Sequence, residues 1–286
     1  MLRRHGPQSD KANSFFVVAA VIGVHCPHDF KEYWRLCLVP RLDLTIPRPG
    51  RGVIWVNSSH EDGRYVREAE RSAKTVRQFE PDVELLSISD QIHEDLDFVF
   101  DHQAVADFYV PRCLTDKIHY NGQMVAKLAN LRNMTWDKNL YLGADIAVLR
   151  PCIKEIFSLL DHFDFVVSHA PTRIYSRGER DERLLSLPNC FPEMNCDLVA
   201  YRRSDCVGKF FEDWHSAYTS GSIDHPHDQG AFRYLMLNSS LRVYILPPEY
   251  NYRGFDYSAG AFIQQRREAV QLYAKDHPHI AEIYGC

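Results

Sequence analysis

One stretch, Asn139-Leu-Tyr-Leu-Gly-Ala-Asp-Ile-Ala-Val-Leu-Arg-Pro151, concentrates the residues that can do chemistry. An apolar run, Leu140 to Leu142, stops at the small-residue turn Gly143-Ala144 and delivers one acid, Asp145. A second apolar run, Ile146 to Leu149, follows at once. A buried strand with a carboxylate at its end can hold a divalent cation, because such ions take oxygen ligands and sit against phosphates. Asn195 is a second candidate, since its amide can both donate to and accept from hydroxyls. Asp228-Gln229 opens an apolar-periodic segment, so Asp228 is either a helix N-cap, a hydrogen-bonding group for a ligand, or both. Lys127 offers an ammonium within reach of a diphosphate, against the plainer reading of a solvated lysine. Asn57, Ser58 and Ser59 follow the apolar run Val53-Ile54-Trp55-Val56, where nucleotide-binding loops sit in open α/β sheets.

The elements around these residues alternate. Val53 to Val56 is β-branched, aromatic and short, the signature of a strand. Arg64 to Phe79 reads as a helix, with Tyr65, Ala69, Ala73 and Val76 on one face, stopped by Glu80-Pro81-Asp82. Val83 to Ile88 is the next strand, which makes a βαβ unit and predicts a parallel sheet. Helices are expected over Met124–Arg132, Ile153–Leu160, Val207–Tyr218 and Gln229–Leu237. Strands are expected at Phe163–Ser168, Leu198–Tyr201 and Leu241–Leu246. Arg173 to Leu187 reads as loop or short helix. Residues 1–51 differ in character and read as an N-terminal extension with a Pro- and Arg-rich linker, ahead of one domain over 52–286.

Composition excludes several classes. The chain has 286 residues, 45% hydrophobic and 25% charged, with a net charge of −5, so nothing points to a nucleic-acid partner. Its eight cysteines include no Cys-x-x-Cys pair, which argues against a zinc or redox motif; Cys190 and Cys196 stand close enough in sequence to bridge in an oxidising compartment. The apolar run Phe15 to Val24 is about half the ~20 residues a spanning helix needs. It reads as a strand or buried segment, which leaves the cytoplasm as the expected compartment; the alternative, a signal-peptide core, would place the chain in a secretory lumen. There is no Gly-rich phosphate loop and no Gly-x-Ser-x-Gly elbow, against P-loop, dinucleotide-binding and serine-hydrolase folds.

The 139–151 stretch resembles the metal-binding strand of GT-A glycosyltransferases, which usually reads Leu-Tyr-Leu-Asp-Ala-Asp with both acids on the divalent ion of a nucleotide-sugar. Other segments resemble the same superfamily, in particular members distantly related to glycogenin, and occur in the same order. They are Gly63 to Ala69 with Ser72 to Val76, Phe191 to Asn195 with Leu198 to Ser204, His227 to Ala231, and Leu246 to Tyr252. The resemblance spans roughly residues 52–255. It implies a Rossmann-like, mostly parallel α/β sheet with helices on both faces. It also implies transfer of a sugar from a nucleoside-diphosphate donor, with a UDP-sugar expected, to a glycan or small-molecule acceptor. Asp145 would hold Mn²⁺ or Mg²⁺; Asn57, Ser58, Lys127, Ala144 and Asp145 would bind the donor; Asn195, Asp228 and Gln229 would act on the sugar or acceptor.

Three positions depart from the pattern. Gly143 replaces the first acid, and Asp197 replaces the glycine expected two residues after Asn195. Tyr284 replaces a late histidine ligand, if Ile280 to Gly285 is read as the corresponding strand; His277 and His279 lie just upstream. These departures keep two alternatives open. One is a relative that binds nucleotide or glycan without catalysis. The other is a metal-independent transferase in which Lys127, Arg173 or Arg177 neutralises the diphosphate.

Overall fold

The computed structural model describes residues 42–58, 63–108, 122–170, 181–223, 225, 227–254, 258 and 260–285. The apolar run 15–24, Ser59, Arg173 and Arg177 lie outside the described residues. The compact unit that holds the site spans Val39–Cys286.

A seven-stranded sheet forms its centre. In chain order the strands are β1 (Arg51–Asn57), β2 (Glu84–Ser89), β3 (His102–Val105), β4 (Lys138–Leu142), β6 (Phe165–His169), β7 (Met194–Arg202) and β8 (Val243–Leu246). Across the sheet they stand in the order β3-β2-β1-β4-β7-β6-β8. The first four are mutually parallel, and β7 runs antiparallel to both its neighbours. A two-stranded ladder of β5 (Ile146–Val148) and β9 (Ile263–Gln265) lies beside this sheet. The helices are α1 (Arg64–Phe79), α2 (Gly122–Leu131), α3 (Ile153–Leu159), α4 (Glu182–Leu185), α5 (Asp205–Thr219), α6 (Asp228–Leu237), α7 (Arg267–Ala274) and α8 (Pro278–Tyr284).

Strand side chains alternate between two cores, as the pleat requires. Ile54 and Val56 point into the layer formed with α2, α5 and α6, where Phe165, Phe211, Trp214 and Phe232 pack together. Val53 and Trp55 point into the opposite layer with α1 and α3. Trp55 donates its indole N–H to Ser72 Oγ of α1 at 3.0 Å, and Val148 N–H of β5 donates to Thr75 Oγ1 at 2.9 Å. α1 is thereby tied to both sheets.

The Ile280–Gly285 segment is a helix, α8, rather than the expected late strand. Pro278 lies in its first turn and Gly285 closes it with φ 65°, the pairing of N-terminal proline and C-terminal glycine that favours helix. No helix among the described residues is long and apolar enough to cross a membrane.

Candidate active site

The sheet reverses its winding between β1 and β4. Strands β2 and β3 build outward on one side of β1, and β4 returns on the other. The carboxyl ends of two parallel strands at such a reversal leave a crevice, the usual ligand position in open α/β sheets. The end of β1 supplies Asn57 and Ser58, both buried; Asn57 Nδ2 makes no hydrogen bond among the described residues. The end of β4 supplies Gly143, Ala144 and Asp145, folded as a tight turn in which Ile146 N–H donates to Gly143 O at 3.3 Å.

A cleft of about 400 Å³ opens beside that turn. Gly143, Ala144, Asp145, Asp197 and Gln265 form one side of its lining, and Arg64, Tyr65 and Glu68 of α1 form another. Arg253, Arg266 and Arg267 add three more guanidinium groups. Glu68 holds Arg64 at 3.1 Å and lies 3.9 Å from Arg267. Arg253 Nε is buried and has no hydrogen-bond partner among the described residues. The cleft thus sets carboxylates and guanidinium groups side by side.

Gln265 is the hub of the acid cluster. Its Nε2 donates to Asp197 Oδ2 at 2.8 Å and to Asp145 Oδ1 at 3.1 Å. Its Oε1 accepts from Asn195 Nδ2 at 2.8 Å and from Asn251 Nδ2 at 3.3 Å. Burial, then the charge of Asp197, push the Asp145 carboxyl up to about 6, with Gln265 and Arg253 opposing. Two carboxylates held this close in a low-dielectric pocket resist ionising together. The neighbouring backbone is strained: Arg266 has φ 84°, while its N–H donates to Asp145 O at 3.1 Å and its carbonyl accepts from Val270 N–H at the start of α7. A non-glycine residue held in that region costs about 1–3 kcal/mol and persists only where its surroundings enforce it.

The remaining candidates form a second layer. Asn195 is fully buried; besides Gln265 it binds its own strand, its Oδ1 accepting from Asp197 N–H at 2.9 Å. Lys127 and Asp228 are paired with each other, both nearly inaccessible to solvent. The Lys127 ammonium also donates to Cys196 O at 3.3 Å and lies 5.4 Å from the centre of the Tyr141 ring, which itself lines the cleft. Burial is the largest single influence and lowers the Lys127 pKa, but Asp228, Tyr141, Cys196 and Asp197 together outweigh it and the net shift is upward. Gln229 is buried beside them with Oε1 unpartnered among the described residues. The structure therefore gathers Ala144, Asp145 and Asp197 at the cleft and sets Asn195 behind Gln265. Lys127 and Asp228 lie in the layer beneath Tyr141.

No family model and no curated protein matches the sequence. Solved structures do. The galactosyltransferase LgtC, in complex with donor and acceptor sugar analogs, aligns with a TM-score of 0.56 and 12% identity over 82% of this chain and 95% of that one. An active-site mutant of LgtC aligns with a TM-score of 0.57 and 12% identity over the same shares. The bifunctional glycosyltransferase WbbM, in its apo form, aligns with a TM-score of 0.54 and 11% identity over 87% of this chain and 52% of that one. The chain has the GT-A fold.

Within this GT-A fold, the group that stands on Asp145 from outside β4 is Gln265, on β9. Tyr284 is buried in α8, with the Arg71 guanidinium 6.0 Å from its ring centre; burial raises its pKa, and Asp145 is near enough for its charge to add to that shift. No group of three His, Cys, Asp or Glu residues gathers as a metal cluster among the described residues. The donor set beside Gln265 is the two carboxylates of Asp145 and Asp197, toward which the amide turns its N–H and not its oxygen. Those are hard oxygen-bearing groups of the kind that hold Mg²⁺ or Mn²⁺ together with substrate phosphates, so the residues fit such an ion. Sequence reasoning missed Gln265, Arg253 and Arg266. They sit on or beside a three-residue strand, too short to show a period, and follow no motif.

Proposed function

We propose that this chain moves a sugar from a nucleoside-diphosphate donor, a UDP-sugar by first preference, to a glycan or small-molecule acceptor. The observation that carries the reading is Asp145. Its carboxylate stands at the sheet's winding reversal, in a cleft that also presents the arginines 64, 253, 266 and 267. A bound Mn²⁺ or Mg²⁺ would neutralise charge on the departing diphosphate.

The chain's own residues do the rest. Asp145 would be the principal protein ligand of that ion. Arg253 would hold a phosphate oxygen, since its Nε is otherwise unpartnered among the described residues. Asn57 and Ser58, buried at the end of β1, would face the nucleoside. Gln229, whose Oε1 has no partner among the described residues, would meet the sugar or acceptor, while Lys127 would act on the site through Asp228 and Tyr141. The fold neighbours' character as glycosyltransferases, one of them described with donor and acceptor sugar analogs, supports this reading.

A second reading is favoured by Gly143: with one acid missing from β4, the chain binds a nucleotide or glycan without turning it over. Donor turnover separates the two. Release of UDP from a panel of UDP-sugars should be detectable in the wild type and fall at least a hundredfold in Asp145→Asn; undiminished turnover in that variant would sink the Asp145-centred transferase.

A further inference from the structure

We propose that Asp197, on β7, is the second carboxylate of the divalent-cation site, carried across the sheet in place of the acid missing at Gly143 on β4. The proposal rests on the transferase reading above and deepens it at one residue.

Strands β4 and β7 pair antiparallel, with Leu142 opposite Leu198. Gly143 N–H then donates to Asp197 O at 2.7 Å, so the two residues are cross-strand neighbours. A Cβ on residue 143 would fall 3.1 Å from Asp197 Cβ, 3.4 Å from its Cγ and 3.5 Å from Asp145 Oδ1. The Asp197 side chain therefore lies against the space that a side chain at position 143 would enter, on the same side of Asp145. A Cβ at 143 would require its neighbour to give by a few tenths of an ångström. A carboxylate there can come from either strand, and an acid on both would require a neighbour to give way.

Asp197 is aimed at the site as well as near it. Its Oδ2 and the Asp145 Oδ1 both accept from one amide nitrogen, that of Gln265. Two asparagine N–H groups on Gln265 Oε1 fix which way that amide faces. Ligating carboxylates are commonly oriented this way by a hydrogen bond from behind, and each ionised carboxylate keeps further lone pairs for a cation. Two protein carboxylates, completed by phosphate oxygens and water, suit Mg²⁺ or Mn²⁺. An Asp197 that merely plugged the cleft would not need the shared amide.

The test is Mn²⁺ binding to the whole chain, followed by electron paramagnetic resonance with and without UDP. Four proteins are compared: wild type, Asp197→Asn, Asp197→Gly and the exchange variant G143D/D197G. Asp197→Asn keeps the shape and hydrogen-bonding reach of the side chain, so loss of binding there is not loss of fold; circular dichroism checks this. The expected result is Mn²⁺ affinity at least about tenfold weaker in both single variants, and within about threefold of wild type in the exchange variant. Wild-type affinity in Asp197→Asn overturns the proposal, as does no Mn²⁺ binding by the wild type with or without UDP. Donor turnover separates the two readings: unchanged Mn²⁺ binding in Asp197→Asn with normal turnover removes this inference alone. Mn²⁺ binding that needs Asp197, without turnover or stabilisation by any nucleotide-sugar, keeps the cation site and removes the transferase.

Discussion

Gly143 N–H and Asp197 O are joined by a 2.7 Å hydrogen bond, and the Asp197 side chain fills the space beside Gly143. Read along the chain, these are two separate departures from the GT-A pattern. In space they are cross-strand neighbours, and Asp197 lines the cleft together with Asp145.

The buried pair of Lys127 and Asp228 should be a stability determinant. Removing one partner leaves an unpaired charge in a dry site, which costs about 3–5 kcal/mol. Lys127→Met should lower the midpoint of urea unfolding accordingly, and the double variant K127M/D228L should recover part of the loss. A Lys127→Met protein as stable as wild type would contradict the pairing.

Stability should respond to pH through Asp145. Its folded pKa, about 6, is above the unfolded value of 3.8, so the folded state binds the extra proton between those values. The destabilising effect is absent below pH 3.8, builds as pH rises towards 6 and persists above it. Without metal, Asp145→Asn should match wild type near pH 4 and exceed it by roughly 2–3 kcal/mol at pH 7.5. Chemical denaturation across that range checks this; a pH-independent difference would argue against it.

Arg253 should serve the donor diphosphate. Arg253→Ala is expected to weaken UDP binding about tenfold, near 1.4 kcal/mol, and to flatten its salt dependence. Isothermal titration at two ionic strengths reads both, and an unchanged affinity would move the phosphate elsewhere in the cleft.

Gly230 should not tolerate a side chain. A Cβ there would fall 2.4 Å from His225 Cγ, in the first turn of α6 beside Asp228 and Gln229. Gly230→Ala is expected to cost about 1–3 kcal/mol through overpacking, seen as a fall in Tm. A neutral substitution would mean that the His225 ring moves freely.

Much of the fold was legible because its signals are local. The 16-residue helix α1 announces itself by the spacing of Ala69, Ala73 and Val76, with Val66 rather than the expected Tyr65 buried on that face, and β1 by its β-branched and aromatic run. The Asp145 turn stood out because an acid interrupts two apolar runs. The rest depends on tertiary contacts. β5 and β9 are three residues each, and nothing in the sequence at Gln264-Gln265 says that β9 will lie against Ile146. The roles of Gly143 and Asp197 are likewise invisible until antiparallel pairing brings positions 54 residues apart together. Pro278 and Gly285 carry a helix signal, whereas the strand expected there rests on the resemblance alone.

The most direct test of the central claim is a thermal-shift measurement on the purified chain. A panel of nucleoside diphosphates and nucleotide-sugars is added, each with Mn²⁺ and with EDTA. A ligand at 100 times its Kd stabilises a protein by about 2.7 kcal/mol, a shift of several degrees at most for a domain of this size. A transferase site centred on Asp145 should give stabilisation by a UDP-sugar in Mn²⁺ that is lost in EDTA and in Asp145→Asn. No shift with any nucleotide under either condition would contradict it.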